Sequence, residues 1–207
     1  MRKLIILVLL FQSSLSSFST VYIDTLFINR GTVNQAQKLI NYCSFNSTET
    51  FELTNSPLEV NENDTLQVTI INTDSLAHTF TVNSILETGN NIAPFDTATF
   101  QLKFNGKGTY RYYSDVAYGK YLAASGNILV GYSNYIHFFW NLFEAKDTFM
   151  DSIANGLTTT LPNYFKPEVF TINNLYFPNT VTDTLGAVTG NVNDSIIILR
   201  STSPTFY

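Results

Sequence analysis

Between Leu58 and Val130 the chain divides into short strand-forming runs, each bounded by turn residues, with no helical segment between them. Leu58-Glu-Val60 leads into the turn Asn61-Glu-Asn-Asp64, and Thr65 to Ile71 follows with Leu66, Val68 and Ile70 on one face. Asn72-Thr-Asp-Ser75 turns the chain, and His78-Thr-Phe-Thr-Val82 runs back. Thr97 to Phe104 and Gly108 to Ser114 flank Asn105-Gly106, a dipeptide suited to a tight turn, and Gly126 to Val130 closes the set. Val21 to Ile28 also alternates, with Val21, Ile23, Thr25 and Phe27 on one face. Strands at this spacing predict an all-β antiparallel sandwich or barrel. Aromatics at 14%, with many Thr, Val, Ile and Asn, agree with strands rather than helices.

The 207 residues provide for one domain or two small ones, and 44% hydrophobic content excludes a disordered chain. Charged residues make up 13%, the net charge is −5, and Lys and Arg form no cluster, so nucleic acid is not an expected partner. Met1-Arg-Lys precedes an apolar run from Leu4 to Phe11 and a Ser-rich segment, the pattern of a secretory signal over residues 1–19. That run is too short to span a bilayer, so no membrane span is expected after signal removal. The expected address is secreted, periplasmic or cell-surface. Cys43 is the single cysteine, which excludes an internal disulfide and suits a small buried residue between Tyr42 and Phe45.

A second unit is expected from 132 to 207, after a first from 20 to 131. Tyr135 to Phe143 is a dense aromatic strand that includes His137, a residue read as core or rim packing. Asp147 to Gly156 predicts one short helix, with Asp147 or Thr148 as N-cap and Gly156 as terminator. Glu168 to Asn173 is another strand. Glu62-Asn-Asp-Thr-Leu-Gln-Val68 then recurs as Val192-Asn-Asp-Ser-Ile-Ile-Ile198, an internal repeat that places Asp64 on Asp194. In both copies Asn-Asp makes a turn and alternating apolar residues begin a core strand. The same offset carries His78 one position past Tyr207, so the second unit is expected to be truncated before its counterpart of His-Thr-Phe; the alternative is that residues 132 to 207 drape over the first domain as an extension.

Together, Asn63-Asp-Thr-Leu-Gln-Val68, His78-Thr-Phe-Thr-Val82, Gly108-Thr-Tyr-Arg-Tyr-Tyr-Ser114 and Gly126-Asn-Ile-Leu-Val130 resemble the cupredoxin superfamily. Phe138-Phe-Trp-Asn-Leu142 and Phe170-Thr-Ile-Asn173 resemble the start of a further domain in multicopper oxidases. The resemblance implies a cupredoxin-like Greek-key β-sandwich followed by the opening strands of a second, incomplete unit. It also implies copper as the cofactor of the full-length family, and one-electron oxidation of a small-molecule substrate that the sequence does not identify. The family places a His-x-His after its second core strand and another in its last hairpin. Here the first reads His78-Thr79-Phe80 and the second Tyr113-Ser114-Asp115, so His78 alone remains as a metal candidate, in an incomplete site. In single-domain copper carriers Cys, His and Met complete the site; Ser114, Tyr118 and Asn127 stand near those places. A type 1 copper needs two imidazoles and a thiolate, so this chain is expected to hold no copper tightly.

Two functions follow. In one, the chain is the N-terminal part of a secreted multicopper-oxidase-like protein, with copper chemistry in the remainder of the second domain. In the other it is a non-catalytic extracellular module that binds a protein or glycan through Tyr110, Tyr112, Tyr113, Tyr118 and Tyr121, unless these tyrosines simply fill core and sheet surface. No phosphate loop, nucleophile elbow or argued carboxylate pair points elsewhere. Sequons stand at Asn46, Asn63 and Asn193.

Overall fold

A computed structural model describes residues 19–35, 37–131, 137–157, 166–172, 175–176 and 195–199. Of the expected leader, only Ser19 falls among them; Asn193 and the turn of the second repeat also lie outside. In chain order the strands of the first unit are β1 (Val21–Gln35), β2 (Lys38–Asn46), β3 (Leu58–Val60), β4 (Thr65–Asn72) and β5 (His78–Thr79). There follow β6 (Thr81–Val82), β7 (Asn91–Ile92), β8 (Thr97–Lys103) and β9 (Gly108–Tyr113), the helix α1 (Ala117–Tyr121) and β10 (Ser125–Val130). Beyond them lie β11 (His137–Ala145), the helix α2 (Asp147–Ala154), β12 (Val169–Ile172), β13 (Leu175–Tyr176) and β14 (Ser195–Leu199).

Two four-stranded sheets, β2-β1-β4-β8 and β3-β10-β9-β6, face each other, and β5 pairs with β7 at one end. The alternation read in β4 is real: Leu66, Val68 and Ile70 are fully buried while Gln67, Thr69 and Ile71 lie on the outer face. Opposite them Phe45, Phe80 and Tyr112 form an aromatic triangle with ring centroids 5.2–5.9 Å apart. Gly126 lies across from Tyr112, and a Cβ there would strike the phenol, which bonds to the Ser56 carbonyl. Such interlocking makes this core intolerant of added volume.

The sheets are mixed rather than wholly antiparallel. β1 runs parallel to β4 and β3 parallel to β10, because each joins its neighbour through a long excursion rather than a hairpin. The Asn105-Gly106 link also differs from a hairpin turn, since it carries the chain from β8 in one sheet to β9 in the other. Phe104 and Tyr110 stack across this corner at 4.8 Å, and the Tyr110 hydroxyl bonds to the Gly106 carbonyl at 3.0 Å. β9 and β10 do pair antiparallel from Ser125–Tyr113 to Val130–Gly108, with α1 inserted between them.

β2 is a strand that the sequence pattern did not announce, and it is where the later segment docks. Its last five residues, Tyr42 to Asn46, are all buried. Tyr42 packs against Phe143 at 5.8 Å, Asn41 donates to Asp151, and Lys38 pairs with Glu168 at 2.6 Å. Phe143, Ala145, Met150, Ile153 and Val169 therefore join the same buried cluster as β1, β2 and β4. α2 begins with Lys146, not Asp147 or Thr148, in the extended N-cap position, and no side chain caps it. Gly156 does end it, at φ +69°. β11 pairs parallel with β14, His137 opposite Ser195, as β1 pairs parallel with β4, Val21 opposite Thr65. Thus the two repeat copies, at Thr65 and Ser195, each open a strand laid parallel to an earlier one.

Candidate functional site: a buried Asp–His–Ser cluster

The turn after β4 builds the cluster. The Asn72 side chain accepts from the Asp74 N–H at 3.0 Å and donates to the carbonyls of Leu76 and Ala93 at 2.8 and 2.9 Å. This fixes Asp74 pointing inward. β5 holds His78 by pairing it with Ile92. Ser114 follows directly on β9. All of His78 and Ser114, and nearly all of Asp74, is buried.

His78 is bonded at both ring nitrogens. Nε2 lies 3.0 Å from Asp74 Oδ2, and Nδ1 lies 3.2 Å from Ser114 Oγ. A carboxylate only accepts, so Nε2 donates to Asp74, and the Ser114 hydroxyl is placed to bond at Nδ1. The Thr79 N–H donates to Ser114 Oγ at 3.3 Å. The other Asp74 oxygen meets Arg30 Nη2 at 3.0 Å, and Arg30 Nη1 donates to the Ala154 carbonyl at 2.6 Å. Burial by itself would raise the Asp74 pKa, but the hydrogen bond from His78 and the Arg30 charge outweigh it and hold the carboxyl below its ordinary range.

The ring's surroundings are closed. Tyr118 meets it edge-on at 5.3 Å, and its hydroxyl bonds to the Ala77 carbonyl. A Cβ on Gly119 would collide with Ser114, so glycine lets α1 press this close. Cys43 Sγ stands 4.0 Å from Nε2, fully buried. Burial, reinforced by the Asp74 charge, pushes its pKa up, so it remains a neutral thiol.

His78, the metal candidate read from the sequence, is wholly buried and donates to Asp74. Ser114 meets it directly; Tyr118 covers it; Asn127 does not reach it. Asn127 lies opposite Arg111 on the strand positions out of phase with core-facing Gly126 and Ile128. Phe80, where a second imidazole would stand, belongs to the aromatic triangle. Asp115 is exposed and faces Lys120 at 3.7 Å, and Tyr113 lies under the Arg111 guanidinium at 5.2 Å. Asp74, Arg30 and the nearness of Cys43 were not found from sequence. Asp74 had been read as a turn residue only, and its reach to His78 comes from the turn's tertiary shape.

Copper, as the resemblance implies it, does not fit these donors. Both imidazole nitrogens are engaged, the nearest hydroxyl is hydrogen-bonded to the ring itself, and the thiol is neutral. Among the described residues no three His, Cys, Asp or Glu side chains are grouped to hold a metal ion.

The solved structures that this chain resembles are copper proteins. A multicopper oxidase termed mgLAC matches with TM-score 0.62 at 17% identity, over 77% of this chain and 55% of that one. The blue copper oxidase of Nitrosomonas europaea gives 0.61 at 18%, with the same two coverages of 77% and 55%. The copper nitrite reductase of that organism gives 0.59 at 14%, over 81% and 62%. The fold is cupredoxin-like. At these identities the likeness establishes the fold alone, and the chain spans little more than half of the first two structures. No protein-family model matches the chain, and no curated protein matches it.

Proposed function

We propose that this chain is the N-terminal part of a secreted multicopper-oxidase-like protein whose first cupredoxin-like domain, 20–131, has exchanged copper for a hydrogen-bonded cluster. The observation that carries this reading is the direct Ser114 Oγ–His78 Nδ1 bond within a cupredoxin-like fold. Residues 132–207 form the start of a second such domain, a reading supported by the matching parallel pairs β1–β4 and β11–β14. The first domain then acts as a scaffold. Arg30 bridges Asp74 to the carbonyl at the end of α2, so the former metal neighbourhood ties the two segments together. Copper and oxidoreductase chemistry belong to further cupredoxin units, not to His78. Among the described residues no helix is long and apolar enough to cross a membrane.

Copper titration of the purified chain tests this. The expected result is no intense visible thiolate–copper band and no stoichiometric binding that depends on His78; a band abolished by His78→Ala or Cys43→Ser would overturn it.

A non-catalytic binding role remains the second reading, but the five tyrosines do not share a surface. Tyr112 is in the core, while Tyr110, Tyr118 and Tyr121 pack on Phe104, His78 and Phe149. What favours this reading is a cleft on the far side of Asp74.

A further inference from the structure

A cleft of about 380 Å³ opens beside the Arg30–Asp74 pair, lined also by Glu49, Phe51, Thr73, Ser75 and Phe95. Three features distinguish it from an incidental surface dip.

First, the wall from 47 to 55 is held in place. Asn46 is fully buried; its Nδ2 donates to the carbonyls of Glu52 and Thr54 at 3.0 and 2.9 Å, and its Oδ1 accepts from the Glu52 N–H at 3.0 Å. Asn29 donates to the carbonyls of Thr48 and Thr50 at 3.0 and 3.2 Å. Glu49 is thus carried between two anchored residues. Phe51 lies flat enough on Gly31 that a Cβ there would enter its ring. The same engagement makes the Asn46 sequon unusable in the folded chain.

Second, the lining is strained at Phe95. Phe95 follows Pro94 in a turn closed by the Asp96 N–H on the Ala93 carbonyl at 3.2 Å. Its φ is +58°, at a turn position that ordinarily takes Gly or Asn. A bulky residue there is uncommon, and this one also leaves 72% of its surface in water. Neither packing nor backbone preference accounts for it, and such conflicts gather at binding sites.

Third, the charge is one-sided. Asp74 and Arg30 neutralise each other, and Arg30 is further engaged by the Ala154 carbonyl. Glu49 is exposed and has no ion-pair partner among the described residues. The lining therefore sums to one free carboxylate, on a chain of net charge −5.

Two phenyl rings and an unpaired carboxylate around one cavity make a receptor for a positive, weakly hydrated group. We propose that this cleft binds the ammonium head of a small organic cation, with Phe51 and Phe95 offering ring faces and Glu49 the counter-charge. An anion would meet Glu49 unfavourably. A neutral sugar would gain nothing from that charge.

Isothermal titration of the full chain with choline tests the proposal. Saturable binding is expected, weakened roughly fivefold by Phe95→Asn, the loss of one cation–π contact, and about tenfold by Glu49→Gln. Asn adopts the positive φ readily and Glu49 is exposed, so both variants should fold; thermal unfolding checks this. Glu62→Gln, at the other end of β4, should bind as the parent does. Absence of saturable binding would overturn the proposal. So would binding that both cleft variants leave unchanged, or glucose competing as well as choline.

Discussion

Towards His78 and Ser114, the surroundings of Asp74 leave no polar atom of the cluster without a partner, and water does not reach the ring. Towards Glu49 and Phe95, a carboxylate stands without an ion partner among the described residues, and a phenyl ring faces water at a backbone angle its residue type avoids. One carboxylate borders both regions, yet their physical character is opposite. The buried side has its polar groups mutually satisfied, whereas the cleft side keeps an exposed carboxylate and an exposed ring. A group whose partners are all internal serves the fold, and a group left facing solvent is one a ligand could meet.

Several substitutions can break or sharpen that contrast. Asp74→Ala should have the largest effect, because it leaves the buried His78 N–H and the half-buried Arg30 without their carboxylate. A loss of about 3–5 kcal/mol in urea unfolding is expected, as for a buried ion pair deprived of one member. A loss near that of an exposed pair, under about 1 kcal/mol, would show that the cluster is not what holds this end of the sandwich. Gly119→Ala forces a methyl group against Ser114 and should lower stability by roughly 1–3 kcal/mol. Ser114→Ala removes the donor to Nδ1 and the acceptor for the Thr79 N–H, at about 1–2 kcal/mol.

Acid provides a further comparison. The Asp74 carboxyl lies below its ordinary range in the folded chain, so its ionised form stabilises the fold above the unfolded value of about 4. That contribution disappears as pH falls through the lower folded value. Asp74→Asn should therefore flatten the stability profile below about pH 4 and leave its shape at neutral pH alone. The smallest effect belongs to the cleft: Phe95→Asn should raise stability by about 1 kcal/mol by relieving the turn, even as it weakens cation binding. A drop in stability instead would mean that the ring serves the fold.

How much of this was legible in the sequence follows from which forces are local. β4 and the β9–β10 pair could be read, because alternation and turn residues encode them directly. β2 could not, since Asn41, Ser44 and Asn46 interrupt its apolar pattern; Ser44 and Asn46 are buried all the same, held by bonds to the 47–55 segment. The parallel pairings were equally hidden, because local pattern does not carry strand direction. At the site, His78 and Ser114 were marked by the resemblance alone. Their partner Asp74 stands four residues before His78 across an irregular turn, a spacing that means something on a helix and nothing here. The cleft was invisible because its walls come from four separate stretches of chain.

We propose that His78 is a closed, doubly hydrogen-bonded residue rather than a metal ligand. Nitrogen-15 NMR of the imidazoles measures this directly, and the chain has only two histidines to assign, one of which His78→Gln removes. The prediction is a His78 ring protonated at Nε2, with an Nδ1 shift typical of a hydrogen-bond acceptor and unchanged by stoichiometric Zn²⁺ or Cu(I). A proton on Nδ1, or an Nδ1 resonance that moves or is lost when either metal is added, would contradict it.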